Sequence, residues 1–142
     1  MKVQIKRFLG ILLLAGAALA VGCDNGSTDT TVTADISVPA ITAVANPMQF
    51  GPVSDYTGWD DNFPHTDVTY TLSIDGGDPL PAGTTTVDAD GLSNGTHTIT
   101  QTFYYNGKAI DSRNGTLGVV SNAFAGITQN FPALTLSLSK KL

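Results

Sequence analysis

Two runs of the chain alternate strictly between apolar and polar positions. In residues 66–75 (TDVTYTLSID), Val68, Tyr70, Leu72 and Ile74 fall on one side, and Thr69, Thr71, Ser73 and Asp75 on the other. In residues 96–105 (THTITQTFYY), His97, Ile99, Gln101, Phe103 and Tyr105 share one side, and Thr96, Thr98, Thr100, Thr102 and Tyr104 the other. Successive side chains of a strand point to opposite faces. A period of two in β-branched and aromatic residues therefore predicts half-buried antiparallel strands.

Weaker alternations flank these two. Val32, Ala34, Ile36 and Val38 alternate with Thr33, Asp35 and Ser37 up to Pro39, which predicts a first strand. Residues 41–45 suggest a second short strand, broken by Asn46-Pro47. Gly51-Pro52 makes residues 48–53 a loop or an edge. Residues 84–89 read as a strand. Asn106-Gly107 predicts a hairpin turn, with residues 108–112 returning. Asn114-Gly115 predicts a second turn, followed by a short strand over 116–120. Val120, Phe124 and Ile127 have helical spacing, but Gly118 and Gly126 favour a loop or strand there. Leu134, Leu136 and Leu138 alternate with Thr135, Ser137 and Ser139 in a last strand, and Lys140 and Lys141 blunt its end against edge pairing.

Composition points the same way. The chain has 142 residues, enough for one domain. All twelve acidic residues are Asp, a poor helix former, and Glu is absent. Three of the seven basic residues, Lys2, Lys6 and Arg7, precede residue 8. Without that segment four basic residues face twelve acidic ones, a formal −8. So acidic a body repels phosphate, which argues against a nucleic-acid partner.

Residues 1–22 have a basic start and an apolar run from Phe8 to Val21, with Cys23 just beyond. The run is about fourteen residues, short for a permanent span of a ~30 Å hydrocarbon core, and it has the layout of a secretory signal peptide. Its end, Ala20-Val21-Gly22-Cys23, resembles the lipobox of bacterial lipoproteins, departing from it at Ala20, where Leu is usual. The resemblance implies cleavage before Cys23, lipid on its sulfur and an acylated amino terminus. Two or more acyl chains anchor a protein stably, at about 0.8 kcal/mol per buried CH₂. It also implies a bacterial cell envelope location on the extracytoplasmic side of a membrane. Asp24 resembles the enterobacterial signal for inner-membrane retention. Other bacterial groups do not obey it, so inner and outer membrane both stay open. Cys23 is the only cysteine, so the body has no disulfide. Residues 23–31, the lipidated cysteine and a polar stretch of small residues, form a tether with an r.m.s. reach of about 15 Å.

The densest chemistry lies in residues 54–67, SDYTGWDDNFPHTD. Three readings of this loop stand side by side. Trp59 and Phe63 can plug the end of a core. Tyr56, Trp59, Phe63 and His65 can stack on a glycan or an apolar protein group. Asp55, Asp60 and Asp61 can offer oxygens to calcium, which takes about six to eight hard ligands. Residues 88–91 begin like an EF-hand loop but fail at Leu92, and no Glu exists to close one. His65 and His97 alone cannot make a zinc site.

Residues 91–99, GLSNGTHTI, resemble the segment leading into the penultimate strand of many bacterial immunoglobulin-like and fibronectin-type domains, with His97 as a structural residue. The resemblance implies one immunoglobulin-like antiparallel β-sandwich of about seven to nine strands over residues 32–142. Such sandwiches serve mostly as binding or structural modules. The lipid-bound Cys23 supplies no nucleophile. The adjacent Asp60 and Asp61 point apart on an extended segment and make no acid pair. The expected protein is a non-catalytic, lipid-anchored module that binds a protein or glycan and needs no cofactor. The alternatives are a surface-assembly subunit pairing through the edge of residues 134–138, and a calcium-binding or metal-dependent enzyme domain.

Overall fold

A computed structural model describes residues 29–142. The expected signal segment, Cys23 and residues 24–28 of the tether lie outside the described residues. The described residues divide into two units, Val32–Lys140 and a second in which residues 29–31 group with Lys141–Leu142. In the second unit, the Leu142 N–H donates to the Thr30 carbonyl at 2.9 Å, and Lys141 pairs with Asp29 at 3.0 Å on the surface.

The larger unit is all-β. Its strands are β1 (Thr31–Val38), β2 (Met48–Gln49), β3 (Val68–Ile74), β4 (Thr86–Val87), β5 (Gly95–Tyr105), β6 (Lys108–Val120), β7 (Ala123–Gln129) and β8 (Leu134–Lys141). The order β3-β5-β6-β7 forms a four-stranded antiparallel sheet, while β1 pairs with β8 and β2 with β4. Two single 3-10 turns, Val53–Asp55 and His65–Asp67, interrupt the long loop before β3.

The four-stranded sheet follows from the alternation. In β5 the odd positions His97, Ile99, Gln101 and Phe103 are buried, and β3 buries Leu72 opposite Gln101 and Val68 opposite Tyr105. Asn106 and Gly107 both take positive φ (49° and 76°), as a two-residue primed hairpin turn requires. The β6–β7 turn, Ser121-Asn122, does the same (51° and 61°) without any glycine. The Asn94 side chain steadies it by accepting the Ser121 N–H at 2.9 Å.

The buried face of this sheet feeds two apolar clusters. One gathers Met48, Phe50, Leu72, Val87, Ile99, Leu117, Phe124 and Phe131. The other gathers Ile36, Val38, Tyr56, Phe63, Val68, Phe103, Leu136 and Leu138. The first therefore joins the sheet to the β2–β4 pair, and the second joins it to the β1–β8 pair. Each fully buried side chain of this size contributes about 1.5–3 kcal/mol by leaving water.

Three sequence expectations change. Asn114-Gly115 is not a turn: β6 runs straight through it, with Asn114 opposite Thr100 and Gly115 opposite Ile99. Glycine is needed there for space, because a Cβ would lie 2.6 Å from the Phe131 ring and 2.8 Å from the Gln129 carbonyl. Residues 41–45 form no strand, and only Ile41 bridges, to Phe131. The strand expected over 84–89 shrinks to β4. Asn46 has a role beyond ending a segment. Its side-chain amide donates to the Phe124 carbonyl at 3.1 Å and accepts the Phe124 N–H at 2.6 Å, completing a ladder rung at β7.

Candidate functional site

The loop over residues 54–67 is pinned to the body along its length. Ser37 and Thr57 exchange backbone hydrogen bonds of 2.8 and 3.2 Å. Gly58, at φ +99°, lies so close to β1 that a Cβ would sit 2.1 Å from the Asp35 carbonyl oxygen. The Asp60 carboxylate accepts the N–H groups of Asn62 (2.7 Å) and Phe63 (3.1 Å), folding a tight local turn.

This anchoring decides which predicted residues reach a partner. Tyr56 is 4% exposed and Phe63 is fully buried, so neither offers a stacking face, which corrects that part of the expectation. The Tyr56 ring meets Phe103 edge-on at 5.9 Å, and Phe63 packs on Tyr105 at 5.9 Å with the Lys140 ammonium 5.5 Å over its ring. Both plug the core at the β1–β8 end, where they join Ile36, Val38, Leu136 and Leu138. Trp59 is half-buried against the same cluster, and its indole Nε1–H is buried without a hydrogen-bond partner. His65 is exposed, its ring 6.3 Å from the Trp59 ring in an edge-on arrangement. The surface part of the predicted site thus reduces to Trp59 and His65.

Asp55, Asp60 and Asp61 are exposed, and one Asp60 oxygen is engaged by its own turn. Among the described residues, no three His, Cys, Asp or Glu side chains converge in a way that could hold a metal ion. The calcium triad is therefore not assembled. Nor, among the described residues, is any helix long and apolar enough to cross a membrane.

Two polar clusters extend beyond the predicted loop, and of their members outside it the sequence singled out only His97. Beneath Tyr56 runs a buried chain. The Gln101 amide donates to the Tyr56 hydroxyl at 3.2 Å, the Arg113 Nε–H donates to Gln101 Oε1 at 2.9 Å, and Arg113 Nη1 donates to the carbonyls of Pro39 and Pro132 (2.5 and 3.0 Å). Arg113 is 4% exposed and has carbonyl dipoles in place of a carboxylate counter-ion. Burial lowers its pKa from the ordinary guanidinium value, and burial raises that of the Tyr56 phenol. Nearby, Tyr70 donates its hydroxyl to the Gly51 carbonyl, and burial pushes its phenol up to about 12, helped by Tyr56 and Asp55. The alternation that turns Gln101 inward extends to Arg113, which faces it across the β5–β6 ladder.

The second cluster is at His97. Its Nδ1 lies 2.6 Å from Asp75 Oδ2 and its Nε2 lies 2.8 Å from the Ser93 carbonyl, while Asp75 Oδ1 accepts the Thr98 N–H at 2.8 Å. The ring ties two loops together, in keeping with the structural role expected for it.

Open clefts lie along the body, among them two that border strands. One, of about 350 Å³, runs between the end of β1 and the start of β8 and is lined by Ser37, Pro39, Asp55, Thr57, Leu134 and Thr135. The other, of about 270 Å³, flanks β3. Comparison with protein-family models, with curated proteins and with solved structures found no match.

Proposed function

We propose that this protein is a non-catalytic binding or assembly module of a bacterial cell envelope, held by lipid on Cys23 to the extracytoplasmic side of a membrane. Its body is an immunoglobulin-like β-sandwich, in which the β1–β8 and β2–β4 pairs make the second layer over the four-stranded sheet. The reading of the anchor rests on the lipobox-like Ala20-Val21-Gly22-Cys23. The reading of the body as a binder rests on one observation. Tyr56 and Phe63 are spent on the core, while on the same pinned loop the half-buried Trp59 meets the exposed His65 ring edge-on. A rigid aromatic platform suits a sugar ring or an apolar protein group, because little entropy is lost on binding.

The test uses the full chain in detergent micelles. Trp59 is the only tryptophan, so its fluorescence reports directly on the platform. Titration against a glycan panel and against envelope proteins should shift that emission and raise the melting midpoint by mass action. His65→Ala should weaken the response without lowering the midpoint of the free protein. An emission unmoved by every ligand removes the platform. Incorporation of labelled palmitate that Cys23→Ser abolishes would support the anchor, and incorporation that persists would sink it.

A second reading, a subunit of a surface assembly, is favoured by β8. Among the described residues, this strand has β1 on one side and no strand on the other. A chain that stays monomeric at millimolar concentration would count against it.

A further inference from the structure

We propose that the outer edge of β3 receives an extended, lysine- or arginine-bearing peptide segment of a partner protein, added to the sheet as a further strand. The inference rests on the reading of this domain as a binding module, and it uses neither Trp59 nor His65.

Backbone direction along β3 carries the argument. The Asn106 N–H donates to the Asp67 carbonyl and the Asp75 N–H donates to the Thr98 carbonyl, so the odd-numbered residues of this stretch turn their peptide groups toward β5. The even-numbered ones turn theirs away. Two of those are already engaged. The Leu72 carbonyl accepts the Leu80 N–H at 2.7 Å, and the Ile74 carbonyl accepts the Gly77 N–H at 2.9 Å. Val68 and Tyr70 remain, and among the described residues no backbone group pairs with their outward N–H and C=O. These groups border the 270 Å³ cleft, whose walls include Pro52, Val53, Gly83 and Thr84. Donors and acceptors alternating at strand spacing along an apolar-walled cleft match the main chain of an extended peptide. The Leu80 contact at Leu72 closes one end, leaving room for about four residues at ~3.3 Å each.

Charge fixes the chemistry of the occupant. Asp55 lies on the 3-10 turn that starts at Val53, and Asp67 directly precedes Val68. No lysine or arginine lines the cleft. Neither carboxylate lines the cleft, but each lies within two residues of its lining in a body that is itself acidic, so a cationic segment is attracted and an acidic one repelled.

The experiment uses the full chain in detergent micelles and two blocked synthetic probes, Lys-Val-Thr-Val-Lys-Val and the same peptide with glutamate in place of lysine. At saturation, the lysine probe should slow amide hydrogen exchange at Val68 and Tyr70 at least about tenfold. The pair Asp55→Lys and Asp67→Lys should weaken the lysine probe at least about fivefold and strengthen the glutamate probe. Should that pair disturb the circular dichroism, Thr69→Lys on the exposed face at the cleft makes the same electrostatic test. No binding by about 1 mM probe, binding without protection at Val68 and Tyr70, or affinity indifferent to charge reversal would each overturn the inference. Ligand-induced Trp59 emission changes without edge protection would overturn this inference alone and leave the binding-module reading standing. Silence at both places would remove both.

Discussion

His97 donates from Nδ1 to Asp75 and from Nε2 to the Ser93 carbonyl, at 2.6 and 2.8 Å. Two acceptors on one imidazole favour the doubly protonated ring. The hydrogen bond to Asp75, then that to Ser93, raises the His97 pKa above 6.5, and the His97 hydrogen bond lowers that of Asp75 below 3.8. The stability His97 contributes is full below its unfolded value and disappears as pH rises through its raised folded value. The contribution of Asp75 is full above its unfolded value and disappears as pH falls through its depressed one. The difference in melting midpoint between the native chain and His97→Gln should therefore be largest between about pH 4 and 6.5 and shrink on both sides. A difference that is flat from pH 4 to 9 would contradict the pairing.

Gly58 and Gly83 both have positive φ, +99° and +83°, but only Gly58 is crowded. Gly83→Ala meets nothing within 4 Å and bears the backbone cost alone, about 1–2 kcal/mol. Gly58→Ala adds a collision with the Asp35 carbonyl, and should cost about 3 kcal/mol or more and loosen the Trp59 loop. Urea midpoints of the two variants check the ranking. Equal losses would mean that the loop does not lie on β1.

Gly115 and Phe131 form a matched pair of small and large. Gly115→Ala should destabilise by about 1–3 kcal/mol through overpacking. Trimming the ring with Phe131→Leu should make the two losses less than additive, because the cavity left by one variant admits the methyl of the other. Additive losses in a double-mutant cycle would place Gly115 away from Phe131.

Arg113 holds Gln101 and the carbonyls of Pro39 and Pro132 together. Arg113→Met leaves these acceptors dry and should cost about 2–4 kcal/mol. Arg113→Lys should recover little, since an ammonium lacks the fork that reaches Gln101 and the two prolines at once. Full recovery by lysine, measured by chemical denaturation, would reduce the cluster to a point charge.

Much of the sheet was legible from a period of two. The inward set on β5 and its partner on β3 fall where the alternation places them, and Asn106-Gly107 turns as its chemistry demands. The error at Asn114-Gly115 came from weighing a dipeptide above the pattern around it. Arg113, Gly115, Leu117 and Val119 keep the same period straight through that dipeptide, and all four are buried. The β6–β7 turn lacked the usual glycine, so Asn122 was the only local signal for its positive φ values. The site was read less well for a related reason. Composition made residues 54–67 look like an exposed binding loop, but aromatic residues serve cores and surfaces alike. Only the packing of Tyr56 against Phe103, and of Phe63 against Tyr105, separates the two uses.

The Asn46 amide on Phe124 makes the two rims of the four-stranded sheet unequal. At β7 a side chain of the same molecule occupies a rung that another chain would need, while β3 keeps its outward groups at Val68 and Tyr70. Capture of a further strand is therefore biased toward the β3 rim. A second copy docking on β7 would have to displace the Asn46 amide from Phe124, which disfavours a filament propagated rim to rim through this sheet.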